Sequence, residues 1–424
     1  MQTSEPLQAL LDVLAGRVDD APRLDAAGWA SFVADASRHG VSALAHLELT
    51  RWPDVPADVV RSLEAHYLKN RLRNLRLYAH LGALLERLSA ESIDVVVLKG
   101  AYLAQAVYPD PALRVMADVD LLVRTRDLER AAQVLRAMRW QQGTSRRASA
   151  HQLPAFELDG VQVELHWTIE DDGSPFAIDI PGLWERAVPV RIGPVRSLAL
   201  SPADLLLHLC LHSAYDHGWK QFDGGLRQLA DIAAVLRHHG PTLDWNDVLL
   251  RAEAWHAQRC VSLCLVTARD LLRADVPQAV LDRLALPDAR WTRIARELCL
   301  GGHYAALTRR LPVLARAWID KRWRRLTHAA RWRERLLPTS ESLRPVYPKL
   351  GAAAPLLLLA HWKDLAADAL RIVFDASSRA LLARERERRV LIDWLEGGAA
   401  DCKASNCRSG AVDHAVVPQV GGPR

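Results

Sequence analysis

Two aspartates spaced one residue apart, Asp118 and Asp120, stand in the run Arg114-Val-Met-Ala-Asp-Val-Asp-Leu-Leu-Val123. The flanking Val119, Leu121 and Val123 read as a strand, in which side chains alternate between faces, so the two carboxylates share one face. Neighbouring anions on a strand repel unless a cation lies between them. A hard divalent ion is the natural occupant, and Mg²⁺ (or Mn²⁺) is usually held by one or two carboxylates together with substrate phosphates. A solvated strand face accounts equally well for a bare D-x-D.

A third carboxylate tips that balance. Val161-Gln-Val-Glu164-Leu-His166-Trp167 also alternates, placing Glu164 and His166 on one face. If this strand lies beside the aspartate strand, three carboxylates meet, which suits a two-metal site. One ion would lower the pKa of an attacking hydroxyl and the other would neutralise a triphosphate and its leaving pyrophosphate. His166 could reach substrate, although a strand histidine beside an aromatic is more often structural. Upstream, Val96-Val-Leu-Lys99-Gly100-Ala101 is a strand running through glycine into a helix, a geometry that offers backbone N–H groups to an anion. Lys99 adds a point charge there.

The elements that must position these groups read as follows. Residues 1–90 are helical, with Leu7, Leu10, Leu11 and Leu14 at helical spacing. A long pattern from Ala57 to Leu88 presents one apolar face that includes Leu68, Leu72 and Leu75. Residues 91–200 form an α/β island. It holds strands at 93–98, 117–123, 151–158 and 161–169, a helix over 125–140 and a hairpin turn at Asp159-Gly160. Ser201-Pro202 opens a helical region over 201–396. Residues 397–424, rich in Gly, Ala, Ser and Pro, read as a disordered tail. The expected fold is therefore α+β, a small mixed sheet embedded in a mainly helical chain.

Composition narrows the classes. The 424 residues are 50% hydrophobic, enough for a sizeable core, and a net charge of +5 fits an anionic partner without requiring nucleic acid. The N-terminus lacks a basic signal-peptide region. The longest apolar stretch, Ala352–His361, is too short for a transmembrane segment, so a cytoplasmic setting is expected. None of the six cysteines shows paired zinc spacing; Cys260 and Cys264 read as helix core. Cys402, Cys407 and His414 make only an incomplete metal set. His208 and His212 lack the glutamate that a zinc protease helix needs. The Arg-rich segment 309–335, with Trp318, Trp323 and Trp332, reads first as a solvated helix. RNA binding and peripheral membrane contact are its alternatives.

Leu98-Lys-Gly100, Arg114-x-Met-x-Asp118-x-Asp120-Leu-Leu-Val and Val163-Glu-Leu-His-Trp167 together resemble the uncharacterised nucleotidyltransferase family of the polymerase-β superfamily. The resemblance extends over about residues 60–350, including Leu206-Leu-His-Leu-Cys-Leu-His212, Trp219 and Leu229-Ala-Asp231. It implies a nucleotidyltransferase core in which Asp118, Asp120 and Glu164 ligate the metal, and Lys99, Gly100 and Arg114 steady the triphosphate of an NTP such as ATP. His212 and Asp231 would then face the substrate cleft. The superfamily's Gly-Ser turn is here Lys99-Gly100-Ala101, without the phosphate-binding serine. The expected activity is transfer of an NMP to an unknown acceptor, whether small molecule, protein or RNA. A catalytically inactive nucleotide-binding protein on the same fold and an RNA-modifying, toxin-like enzyme are the competing readings.

Overall fold

A computed structural model describes residues 3–143, 151–171, 173–216, 225–284 and 287–301, together with 337–344, 346–347, 354–374, 380 and 383–397. The Arg- and Trp-bearing segment 309–335, Trp219, Cys402, Cys407, His414 and the tail from 398 onward lie outside these residues.

Four helices come first: α1 (Glu5–Leu14), α2 (Ala26–Arg38), α3 (Ser42–Leu49) and the 34-residue α4 (Ala57–Ala90). The next elements are β1 (Val95–Val97), α5 (Lys99–Ala106), β2 (Asp118–Val123), α6 (Leu128–Ala137), β3 (Gln141–Gln142), β4 (Phe156–Leu158) and β5 (Val161–His166). After α7 (Ile180–Glu185) come β6 (Val188–Ile192) and β7 (Val195–Ala199). Helices α8 (Pro202–Leu211), α9 (Leu226–His239), α10 (Trp245–Ala254), α11 (Gln258–Leu272), α12 (Gln278–Arg283) and α13 (Ala289–Leu300) follow. Further helices occupy Ser340–Leu343, Ala354–Phe374 and 383–397.

The strands form one mixed sheet in the order β3-β4-β5-β2-β1-β7-β6. At its centre β2 runs antiparallel to β1 and parallel to β5. Asp159 and Gly160 both take positive φ, 51° and 73°, which is the backbone a two-residue hairpin between β4 and β5 requires. The β6–β7 hairpin turns at Gly193 (φ 57°) and adds β7 in parallel to β1. Its strands alternate weakly between partly buried and exposed positions, so periodicity alone gives little sign of them. Each buried Val or Leu on the sheet contributes roughly 1.5–3 kcal/mol. Val96, Val119, Leu121, Val163 and Leu165 are all fully enclosed.

The long helix differs from its sequence pattern in one respect. Leu68, Leu72 and Leu75 are exposed, at 46, 70 and 60%, while Asn70 and Asn74 are buried at 5 and 1%. The reason is the loop beneath. Asn70 Nδ2 donates to the Ala112 carbonyl at 2.5 Å, and Asn74 Nδ2 donates to the carbonyls of Pro111 (2.7 Å) and Arg114 (2.9 Å). A buried loop has carbonyls to satisfy, and leucine cannot satisfy them. α4 therefore turns an amide face, not its leucines, toward the segment that delivers Arg114 and the two aspartates.

At the other end of the sheet Ser201 caps α8, its side chain accepting from the Asp204 backbone N–H. Cys210, Cys260, Cys264 and Cys299 are free and buried in the helical core. Among the described residues, no helix is long and apolar enough to cross a membrane.

Candidate active site

Parallel pairing of β2 with β5 sets Asp118 opposite Gln162 and Asp120 opposite Glu164. Registered residues of neighbouring strands face the same way, so Asp118, Asp120, Glu164 and His166 share one surface of the sheet. Leu98, at the exit of β1, donates its N–H to the Asp120 carbonyl at 3.0 Å, tying the start of α5 to the same level.

Lys99 follows, with φ +40°. A non-glycine residue there is strained by roughly 1–2 kcal/mol, and such strain tends to be stored at functional sites. Its Nζ lies 3.5 Å from Asp120 Oδ1. His166 is buried at 2% exposure, and its Nε2 lies 2.9 Å from Asp120 Oδ1 and 3.5 Å from Glu164 Oε2. His166 thus sits beneath the carboxylates and braces both. His151 stacks on it, with ring centroids 5.4 Å apart, and bonds in turn to Asp171.

The electrostatics follow the geometry. Burial, then Asp120 and Glu164, push the Asp118 carboxyl above its ordinary range. Asp120 is buried as well, which opposes its charge, but Lys99, His166 and His212 outweigh this and hold it well below the usual range. Glu164 is lowered too: burial opposes its charge, and the His166 hydrogen bond overcomes that. His166 is buried against its own charge yet raised, because Asp120 and Glu164 both accept from it.

Asp120, Glu164 and His166 offer ligand atoms within 4.8 Å of one another. Asp118 stands on the same face, with a carboxyl that burial first, and then its anionic neighbours, make costly to ionise. Oxygen donors gathered on one face of a partly buried sheet fit a hard divalent cation, whose charge would relieve their mutual repulsion.

Arg114 and Asp231 are placed differently from their expected roles. Arg114 Nη2 donates to Asp231 Oδ2 at 2.9 Å, its Nε reaches both carboxylate oxygens at 3.3 Å, and Tyr108 donates to Asp231 Oδ1 at 2.9 Å. Asp231 is 1% exposed. Burial opposes the charge of Arg114, but Asp231 more than compensates and its pKa is raised. The pair is an internal brace between the β2 approach and α9, so Asp231 does not present itself to a cleft and Arg114 has its strongest partner inside the protein.

Gly100 is required by this brace. A Cβ there would come within 2.3 Å of Arg114 Nη1 and 3.3 Å of Met116 Cγ. A free arginine could swing aside, but this one is held by Asp231. Gly100→Ala should cost about 1–3 kcal/mol by overpacking. Urea denaturation of the variant would show it; a midpoint equal to wild type would mean the guanidinium moves freely.

His212 opens a π-helical turn (His212–Asp216) after α8, close enough to Asp120 to lower its pKa. His208 is buried at 1%, and burial holds its imidazole well below its usual pKa, with Lys99 and His212 adding to the effect.

A family model described as "Uncharacterised nucleotidyltransferase" matches residues 25–273. These limits coincide with the N-cap of α2 (Asp25) and the left-handed C-cap of α11 (Arg273). The match thus begins earlier and ends earlier than the 60–350 span expected from motifs, taking in α2 and α3, which pack on α4. Among solved structures, an antigenic nucleotidyltransferase-like protein from Paracoccidioides brasiliensis is similar at 17% identity, with a TM-score of 0.33, covering 49% of this chain and 96% of that one. No curated protein matches the chain.

Proposed function

The chain belongs to the uncharacterised nucleotidyltransferase family, and on that premise we propose that its site moves an NMP from an NTP onto an acceptor hydroxyl or phosphate. The acceptor oxygen forms a bond to the α-phosphorus as the bond from that phosphorus to the bridging oxygen breaks. Pyrophosphate leaves, and the acceptor's proton passes to a carboxylate or to solvent.

The observation that carries this reading is the side-by-side placement of Asp120 and Glu164 across β2 and β5, with Asp118 on the same face. Asp118, Asp120 and Glu164 would hold Mg²⁺ or Mn²⁺. When bound, a pair of such ions neutralises the triphosphate and acidifies the attacking hydroxyl. The protein's part is positioning. His166 fixes the carboxylate oxygens of Asp120 and Glu164, so that little reorganisation is needed on loading. Lys99, held in its strained conformation, supplies positive charge beside Asp120 and would be on hand for a phosphate of the nucleotide. Glu164, kept ionised by His166, stands on the attacking side and can accept the proton. Four free buried cysteines suit a reducing, cytoplasmic setting.

Pyrophosphate release from each of the four NTPs, measured with Mg²⁺ or with EDTA in the presence of a cell extract depleted of endogenous nucleotides, tests the reading. Metal-dependent release from one NTP is expected. Release that persists in EDTA would overturn it. Tight metal-dependent NTP binding without release under any acceptor condition would favour a nucleotide-binding protein that has lost catalysis.

A further inference from the structure

We infer that the outward face of α4 is a docking surface for an acidic amphipathic helix of a partner protein. Such docking does not depend on nucleotidyl transfer, and it would stand if the chain bound no NTP.

The fold leaves three leucines of α4 in water. Asn70 and Asn74 turn toward the loop that leads to Asp118, and so Leu68, Leu72 and Leu75 face out, at 46, 70 and 60% exposure. Single exposed leucines are ordinary, but these three fall on one stripe. With the exposed Ala65 and Ala79 they follow the spacing 3, 4, 3, 4 along the middle of the helix. That is the a/d seam of a coiled coil, two heptads or about 22 Å long. It is narrower than the apolar stripe by which a helix packs on a core. Alanine at both ends lets a second backbone come close, and leucine between them supplies the knobs.

The charges beside the seam select the occupant. Lys69 and Arg76 border it on one side, and Arg71 and Glu64 on the other, at the e and g positions of the repeat. All four are exposed, and among the described residues none of the three basic ones is in an ion pair. An acidic helix makes three attractive pairs there against one repulsive pair. A second copy of this chain has no such advantage. Each attraction by Glu64 is cancelled by a basic pair, Arg71 against Arg76 in parallel register or Lys69 against Arg76 in antiparallel. The chain's own remaining segments fit no better: residues 309–335 carry ten basic and two acidic residues, and 398–424 contain no leucine. No residue of the seam is aromatic, so nucleic-acid bases have nothing to stack on.

The position of the seam ties it to the site. Arg73 Nη2 donates to the Ala117 carbonyl at 3.3 Å, next to Asp118. A helix seated on the leucines lies across α4 from the loop that delivers the two aspartates.

The test is fluorescence anisotropy of two labelled synthetic peptides of three heptads, both with leucine at a and d. One has glutamate at e and g, the other lysine. The full chain should bind the acidic peptide at least tenfold more tightly than the basic one. Leu68→Gln/Leu72→Gln/Leu75→Gln changes only exposed positions, so it should melt with wild type yet lose at least tenfold in affinity for the acidic peptide. Lys69→Glu/Arg71→Glu/Arg76→Glu should reverse the preference toward the lysine peptide, which mere stickiness of leucine would not do. Equal affinity for the two peptides, or acidic-peptide binding unchanged in the triple glutamine variant, overturns the assignment. So does a leucine-dependent dimer in analytical ultracentrifugation, or leucine-dependent binding of oligouridine RNA or of phosphatidylglycerol vesicles, since each would name a different occupant.

Discussion

Asp120→Asn should abolish metal-dependent nucleotidyl transfer, lowering turnover on the order of 10²–10³-fold or more, as loss of one preorganised electrostatic partner in a water-poor site does. Asp120 is the point where the site converges. Its Oδ1 meets Lys99 at 3.5 Å and His166 at 2.9 Å, and its neighbour across the strands is Glu164. The amide keeps the size and one acceptor oxygen, so His166 retains a partner and the fold should persist by circular dichroism. Removing the charge nevertheless has a thermodynamic sign. A carboxyl whose folded pKa is depressed stabilises the fold above its unfolded pKa, near 3.8, and loses that contribution as pH falls through the folded value. The variant should therefore lose some stability at neutral pH and approach wild type in strong acid. Steady-state pyrophosphate release and urea titrations at pH 7 and pH 2–3 measure the two effects separately. A variant with wild-type turnover would remove Asp120 from the chemistry.

The second large effect belongs to the brace. Asp231→Ala should destabilise the protein by about 3–5 kcal/mol, because it strands the Arg114 guanidinium without its counter-ion. It also leaves the Tyr108 hydroxyl, donating at 2.9 Å, with no acceptor in a buried site. The loss would come from breaking a buried pair, not from any great net value of the pair. The triple variant Tyr108→Phe/Arg114→Met/Asp231→Leu, which replaces the whole network by apolar groups of similar bulk, should therefore be more stable than Asp231→Ala alone. Urea midpoints for wild type, the single variant and the triple variant check this. A single variant within about 1 kcal/mol of wild type would mean that water or another group takes over the role of Asp231.

How much of this was legible in the sequence depends on the range of the interaction. Alternation in Asp118-Val-Asp120 and in Val163-Glu164-Leu-His166 is a local property, and it announces strands with carboxylates on one face. The Asp159-Gly160 turn and the Ser201-Pro202 helix start are equally local, and they stand where their chemistry puts them. The family is legible because those local blocks occur in a fixed order. What the sequence does not carry is which partner a polar side chain finds across the fold. Asn70 and Asn74 look like interruptions of an apolar face until the 108–117 loop lies beneath them. The family resemblance implies that Arg114 steadies a triphosphate, yet Asp231, 117 residues away, reaches it first. His166 reads as a strand histidine beside a tryptophan, and only the parallel pairing of β2 with β5 brings it to two carboxylates. The β6–β7 hairpin escapes because its alternation is shallow, and its pairing partner β1 lies about a hundred residues upstream.

The central claim, that the Asp118, Asp120 and Glu164 face loads a metal–nucleotide complex, is tested most directly by isothermal titration of the four NTPs into the purified chain. The titrations are run with Mg²⁺ and with EDTA, alongside the Asp118→Ala/Asp120→Ala double variant. The expected result is saturable binding of one NTP that requires Mg²⁺ and vanishes in the double variant, which would also name the donor. Binding that is indifferent to metal, or that survives loss of both aspartates, would contradict the claim.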